Sequence, residues 1–157
     1  MRAFQLKIIF TVAFFVFISS SSLAQKNTYK GFPSLVWPKL YDIEFVDQSG
    51  LSGDFQKPVF SPAAKALEGK RISLPGYMVP FESGLRGNHF MFSSMPLNAC
   101  FFCGVGGPET VIEVFTKEST NYSDKPIEII GTLKLNANDP DKMIYILENT
   151  EVVGELD

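Results

Sequence analysis

Apolar and polar residues alternate in several short segments of the chain, and this alternation predicts β-strands with one buried face. The predicted strands are Leu40–Val46, Lys70–Val79, His89–Phe92, Thr110–Thr116, Ile127–Leu135 and Met143–Val153. The positions predicted to point into the core from the two most regular strands are Ile72, Leu74, Met78, Ile127, Ile129, Leu133 and Leu135. Gly76 and Gly131 interrupt these two strands near their centres, where a barrel strand bends.

Other segments predict turns and one helix. Ser61–Gly69 is typical of a short helix, because its serine can cap the start, its proline suits the first helical position and its glycine suits the end. Residues 47–57 contain several turn-forming residues and are predicted to form a loop. Trp37 stands next to a proline and is expected to be a packed anchor.

Six short strands and one small helix predict an all-β fold with small α content. Closing the sheet protects strand edges that would otherwise be exposed. We therefore expect an OB-like, partly closed antiparallel barrel of five to six strands. A β-sandwich is the alternative. Residues 37–157 are predicted to form this single domain, preceded by an extended N-terminal arm over the polar residues 25–36.

Residues 1–24 are typical of an export signal peptide. Two basic residues lie near the start, Ile8–Ile18 is an unbroken apolar run, and residues 22–24 fit the small-residue cleavage pattern. The apolar run is about half of the roughly 20 residues that a membrane span needs. We predict cleavage after Ala24, a periplasmic or secreted location, and no membrane anchor after signal removal.

The charge of the chain limits its expected partners. The whole chain carries a formal net charge of −3, and loss of Arg2 and Lys7 with the signal makes it about −5. An acidic chain without a basic cluster binds a phosphate backbone poorly, so nucleic acid is not an expected partner. Another exported or envelope protein is the macromolecular partner that the predicted location favours.

One segment between two predicted strands combines a Cys-x-x-Cys pair with a glycine-rich exit. Its members are Cys100, Cys103, Gly104, Gly106, Gly107 and Pro108. In an oxidising compartment the two thiols can form a disulfide. A ring of about four residues stabilises a fold by only about 2 kcal/mol on the loop-entropy model. A purely structural disulfide is one interpretation of the pair.

A thiol–disulfide redox centre is the second interpretation. Redox motifs of this spacing place the first cysteine at a helix N-terminus, which lowers the pKa of its thiol. In this chain the glycines after Cys103 do not favour a regular helix before Pro108. The two phenylalanines between the cysteines would also exclude water, which raises a thiol pKa.

A metal site is the third interpretation, because two thiolates at this spacing form one arm of a zinc or copper site. The candidate ligands are Cys100, Cys103, His89 and Glu109. His89 begins a predicted strand whose far end leads into the cysteine loop, and five residues of strand place His89 roughly 17 Å from that end. It reaches the cysteines only if the chain doubles back after that strand. The metal, zinc or copper, and the full ligand set stay open.

Three parts of the sequence together resemble a known family. They are Gly69–Glu82, His89–Ser93 leading into Ala99–Glu109, and Ile130–Leu135. This Leu-Pro-Gly-Tyr segment followed by a Cys-, Gly- and Pro-rich loop resembles the uncharacterised exported family known as domain of unknown function 3299. The resemblance covers about residues 37–150 and implies an OB-like fold. Many members have Cys-x-His and prolines in this loop. This chain has Cys-Phe-Phe-Cys-Gly instead, so no metal role is carried over to a loop histidine.

No enzyme motif stands out in the sequence. The chain has a single histidine and lacks the G-x-S-x-G elbow of hydrolases, so no catalytic residue is predicted. The leading hypothesis is an exported non-enzymatic binding or accessory module that presents the Cys-x-x-Cys-Gly loop to a metal ion or a protein partner. A thiol–disulfide redox protein and a domain with a purely structural disulfide are the alternatives.

Overall fold

The computed structural model describes residues 33–50, 53–79, 86–96 and 104–156. Its elements in chain order are α1 (Trp37–Leu40), β1 (Ile43–Gly50), β2 (Gly53–Phe60), α2 (Pro62–Lys65), β3 (Arg71–Val79), β4 (Arg86–Ser93), a 3-10 turn (Pro108–Thr110), β5 (Val111–Asn121), β6 (Ile127–Leu135) and β7 (Tyr145–Glu155). The predicted signal peptide lies outside the described residues. Within the described ranges no helix is long and apolar enough to cross a membrane.

Five strands close into a barrel in the order β3-β4-β5-β7-β6, and β6 completes it by pairing with β3. Neighbouring strands are antiparallel except for β5 and β7, which run parallel. This arrangement is that of a five-stranded Greek-key barrel of the OB type. The predicted all-β, OB-like barrel of five to six strands with a short helix is confirmed, but the barrel is closed rather than partly closed and one of its strand pairs is parallel.

The barrel core follows the alternation of apolar residues along β3 and β6. The inward side chains of these strands, each at most 6% exposed, are Ile72, Leu74, Met78, Ile127, Ile129 and Leu133. Leu135 is half-buried and packs at the edge of the same cluster. Burial of these apolar side chains is the main favourable contribution to folding. The predicted inward face of both strands is correct.

Gly76 lies where β3 changes partner. Arg71–Gly76 pairs with β6, whereas Tyr77–Val79 pairs with β4. A Cβ atom at position 76 would lie 2.4 Å from the backbone oxygen of Ser93 and 2.8 Å from the Phe92 ring. Only a residue without a side chain allows β4 to approach β3 this closely. The predicted bend at Gly76 therefore coincides with a close backbone contact.

The loop prediction for residues 47–57 is wrong. Residues 47–50 and 53–57 belong to a hairpin in which β1 and β2 pair in register from Ile43↔Phe60 to Gly50↔Gly53. Polar residues suit this hairpin because it stands outside the barrel, and the Gln56 side chain donates to Asp47 across the strands at 3.1 Å. The predicted strand start also moves from residue 40 to residue 43, because Trp37–Leu40 forms a helical turn.

The segments before β3 pack against one end of the barrel. The Trp37 indole is buried and donates to the carbonyl of Pro75 at 2.7 Å, so Trp37 is an anchor as expected. The Tyr145 hydroxyl donates to the carbonyl of Leu40 at 2.7 Å. The short helix also forms as predicted, because the Ser61 hydroxyl accepts a hydrogen bond from Ala64 N at 3.1 Å. It ends earlier than predicted, at Lys65, and a turn continues to Gly69.

The buried Tyr145 predicts a pH dependence of stability. Burial first, and then the charges of Glu109 and Asp42, raise the pKa of Tyr145 above its ordinary value. The neutral phenol is therefore favoured in the fold, so its stabilisation is complete below about pH 10 and is lost as the pH rises towards the folded-state pKa. In urea unfolding between pH 8 and pH 11.5, we expect stability to fall more steeply in the native chain than in Tyr145→Phe. Parallel pH profiles for the two proteins would contradict this assignment.

Candidate binding site on the outer face of the barrel

The alternation that fills the core also fixes what β4 and β5 carry on their outer faces. Inward side chains in these strands are Phe90, Phe92, Ile112 and Val114. Because successive side chains of a strand point to opposite faces, His89, Met91, Glu113 and Phe115 lie outside. In the register, His89 is opposite Phe115 and Met91 is opposite Glu113. Two strands thus bring together a histidine, a carboxylate and an aromatic ring.

Glu113 is buried although it carries a carboxylate. Its side chain is 7% exposed, and His89 Nε2 donates to Glu113 Oε1 at 2.8 Å. Its second oxygen, Oε2, accepts a hydrogen bond from the backbone N of Met143 at 3.1 Å. A buried carboxylate is tolerated when its oxygens are hydrogen-bonded in this way. Glu113 therefore fixes both the imidazole of β4 and the loop between β6 and β7.

The imidazole of His89 also covers one face of Phe115. The two rings are stacked, with centroids 4.2 Å apart and planes inclined by 12°. The His89 side chain is partly exposed, at 39%, while Phe115 is half-buried. Glu113, His89 and Phe115 thus form a sequence of contacts in which the carboxylate orients the imidazole and the imidazole supports the ring.

A groove of about 310 Å³ opens beside Phe115, between β5 and β7. It is lined by Phe115, Thr116, Lys117, Lys142, Ile146, Glu148 and Asn149. The pairing of β5 with β7 shifts here, since β7 has one more residue than β5 between two successive pairs. Asn149 lies in this β-bulge with φ of +51°. The groove is at the lower end of the size range of small-molecule sites, about 300–1,000 Å³.

A second apolar cluster lies next to Glu113 and stabilises one side of the outer face. Val79, Met91 and Val111 are buried together, and Met143 packs against them. Met143 is the residue whose backbone N binds Glu113. The loop that contributes Lys142 to the groove is therefore held by an apolar contact and a hydrogen bond at the same residue.

The structure describes two of the four candidate metal ligands predicted from the sequence, His89 and Glu109. Cys100 and Cys103 lie outside the described residues. His89 binds Glu113, whereas Glu109 is in the 3-10 turn and its charge acts on Tyr41 and Tyr145 at the barrel end. His89 pairs with Phe115, and Ser93, at the end of β4 towards the cysteine loop, pairs with Val111. These two pairs are four positions apart on β5, about 13 Å along the strand. In the described part of the chain, no group of three His, Cys, Asp or Glu side chains could hold a metal ion. The metal site stays a prediction.

The described ends of the cysteine-containing loop are joined to each other. Ser94 donates to the carbonyl of Thr110 from both its backbone N, at 3.0 Å, and its hydroxyl, at 3.2 Å. Gly104 has φ of +76°, which favours glycine. The carbonyl of Gly107 accepts hydrogen bonds from the backbone N and the hydroxyl of Thr110, and Pro108 begins the 3-10 turn. Gly106 packs against Met95 and Thr110.

The pairing of His89 with Glu113 was not predicted from the sequence. His89 and Glu113 each occupy an outward position of an otherwise apolar strand. A polar residue at such a position is the sequence signal that could have identified both residues. Their contact depends on the register between β4 and β5, which shifts between Gly87 and His89.

Comparisons of the chain with protein-family models, with curated proteins and with solved structures find no match.

Proposed function

We propose that this chain is an exported, non-enzymatic binding module and that its ligand site is the groove beside Phe115. The observation that carries the proposal is the preorganised wall of the groove, where buried Glu113 orients His89 and His89 supports Phe115. Binding is stronger when the site needs little ordering on contact with the ligand. Glu113 also holds Met143, next to the groove residue Lys142, so one carboxylate positions both sides of the groove.

The groove shares one strand, β5, and one loop with the ligand-binding face of OB-type barrels, which supports the same proposal. OB-type barrels bind their ligands on the face of the second and third strands and with the loop between the fourth and fifth. In this barrel those strands are β4 and β5, and that loop is residues 136–144. His89, Phe115 and Lys142 all come from these parts of the fold.

The loop with Cys100 and Cys103 is proposed as a second contact region of the module, for a metal ion or another exported or envelope protein. The hydrogen bonds between Ser94 and Thr110 support this proposal, because they bring the two ends of the loop together on the barrel. A redox pair and a structural disulfide remain the alternatives. Alkylation of the thiols before and after reduction, followed by mass spectrometry and metal analysis of the same sample, distinguishes the three.

The groove is tested by ¹H–¹⁵N NMR of residues 25–157 during titration with small aromatic compounds of negative, zero and positive charge. We expect at least one compound to shift the amide signals of Phe115, Ile146 and Asn149 together. Phe115→Ala removes one wall and should abolish these shifts, while Glu113→Gln should weaken binding because an amide offers one acceptor oxygen where the carboxylate offers two. The matched control is Val153→Ala on β7, an exposed apolar residue outside the groove. Groove signals that no compound shifts, or that shift equally in Phe115→Ala, would refute the proposed site.

A further inference from the structure

The charged side chains that line the groove are two lysines and one glutamate. Glu148 is the lining carboxylate, and both its oxygens are bound by Lys134 Nζ, at 2.8 Å and 2.7 Å. This ion pair neutralises the carboxylate from outside the groove, since Lys134 is not among the lining residues. Lys117 and Lys142 are then the lining charges that a ligand meets.

Lys117 stands in a cluster with more positive than negative charge. Its Nζ lies 2.8 Å from Glu151 Oε1, and Arg71 binds Oε2 of the same carboxylate at 3.0 Å. The hydrogen bond and charge of Lys117, together with the charge of Arg71, lower the pKa of Glu151, so this carboxylate stays ionised. Two cations around one carboxylate leave an uncompensated positive charge at this side of the groove.

Lys142 is weakly engaged within the protein. Its Nζ is 3.6 Å from Asp139 Oδ2, the longest of the ion pairs seen among the described residues and beyond hydrogen-bond distance. Exposed pairs of this kind contribute little to stability. The Lys142 side chain is half-exposed, so it can turn towards a ligand while Asp139 keeps its hydrogen bond to the Asp141 backbone.

Besides its charged residues, the groove is lined by the apolar Phe115 and Ile146 and by the polar Thr116 and Asn149. Phe115 gives an aromatic wall and is stacked against His89, and Ile146, 7% exposed, adds a second apolar lining residue. A volume of about 310 Å³ holds a group the size of one ring with a short substituent. A long polyanion would approach a chain whose formal net charge is −3, which opposes its binding.

We propose that the groove binds a small organic anion, with an apolar ring against Phe115 and Ile146 and a carboxylate or phosphate between Lys117 and Lys142. This inference rests on the proposed function of the groove and names the chemical class of its ligand. Charge-assisted hydrogen bonds from the two ammonium groups hold the acid group, and the apolar wall holds the ring. A ligand that carries both a ring and an acid group is selected, because an inorganic anion contacts only the lysines and a neutral ring contacts only the apolar wall.

The experiment measures dissociation constants by NMR titration for four aromatic probes of similar size. Benzoate and phenyl phosphate separate the two acid groups, while benzyl alcohol and benzylamine give the neutral and cationic references. We expect at least one of the anions to bind more tightly than either reference. Lys142→Gln should weaken binding of that anion by about three- to tenfold and leave benzyl alcohol unchanged. Lys125→Gln is the matched control, since Lys125 is also exposed and ion-paired, with Glu155, but does not line the groove.

The outcomes separate this inference from the proposed function. Benzyl alcohol or benzylamine binding as tightly as both anions would overturn the anion proposal and leave the groove a ligand site. Equal weakening by the Lys142 and Lys125 variants would also overturn it, because the effect would then come from overall charge. A fifth probe, an oligothymidylate, would overturn it by binding more tightly than either small anion and with a steep salt dependence. Groove signals that no probe shifts would refute both proposals.

Discussion

Leu133→Ala should lower the free energy of unfolding by about 2–5 kcal/mol. Leu133 is completely buried in the barrel core, on the inward face of β6. Truncation to alanine removes buried apolar atoms and leaves a cavity that the closed barrel fills only partly. Urea denaturation followed by circular dichroism measures the difference, and the slope with denaturant should not change.

The neighbouring residue provides the control for this prediction. Lys134 points outward from the same strand, and its Nζ binds Glu148 on the surface. An exposed ion pair contributes at most about 1 kcal/mol, so Lys134→Ala should have a small effect. Similar losses in the two variants would mean that the inward and outward faces of β6 are assigned incorrectly.

Gly76→Ala should cost about 3 kcal/mol, a large effect for the addition of one methyl group. The added Cβ atom would lie 2.4 Å from the Ser93 backbone oxygen, and backbone cannot move aside as a flexible side chain can. Strands β3 and β4 would have to separate where β3 leaves β6, which weakens the closure of the barrel. The expected result is a lower urea midpoint and broader NMR signals for Phe92 and Ser93.

Gly154→Ala is the matched substitution for Gly76→Ala. Gly154 also lies in a strand, β7, and a Cβ atom there meets no atom within 4 Å. Alanine also loses less conformational freedom than glycine on folding, so Gly154→Ala should be neutral or slightly stabilising. If Gly76→Ala were equally neutral, the close approach of β4 to β3 would be wrong.

Much of the barrel could be predicted because its strands bury one face. The alternation in Ile127–Leu135 predicted the bounds of β6 and its inward residues, and the serine, proline and glycine of residues 61–69 predicted the start of α2. The second half of β1 and all of β2 were missed for the opposite reason. The β1–β2 hairpin lies outside the barrel, so much of it needs no apolar residues, and its glycines and polar residues are equally typical of a loop.

The candidate site was less predictable, because it depends on contacts between strands. His89 was proposed as a metal ligand from its residue type, but its partner Glu113 lies 24 positions away and becomes adjacent only in the register of β4 with β5. The groove depends on the bulge at Asn149 and on a lysine from the loop before β7. Neither residue belongs to a sequence motif. Asparagine adopts positive φ in many turns, so its presence in the sequence does not predict a β-bulge.

The hydrogen bond from Tyr145 to Leu40 has a consequence for the order in which the molecule forms. It joins residues 105 positions apart, and the same strand, β7, supplies partners to both β5 and β6. Contacts over such distances in the chain form late, because a long loop must be closed before they add stability. During synthesis the barrel cannot close until its last strand has been made. The turn at Trp37–Leu40 can contact Pro75 earlier, but its hydrogen bond with Tyr145 forms only after β7 has been synthesised.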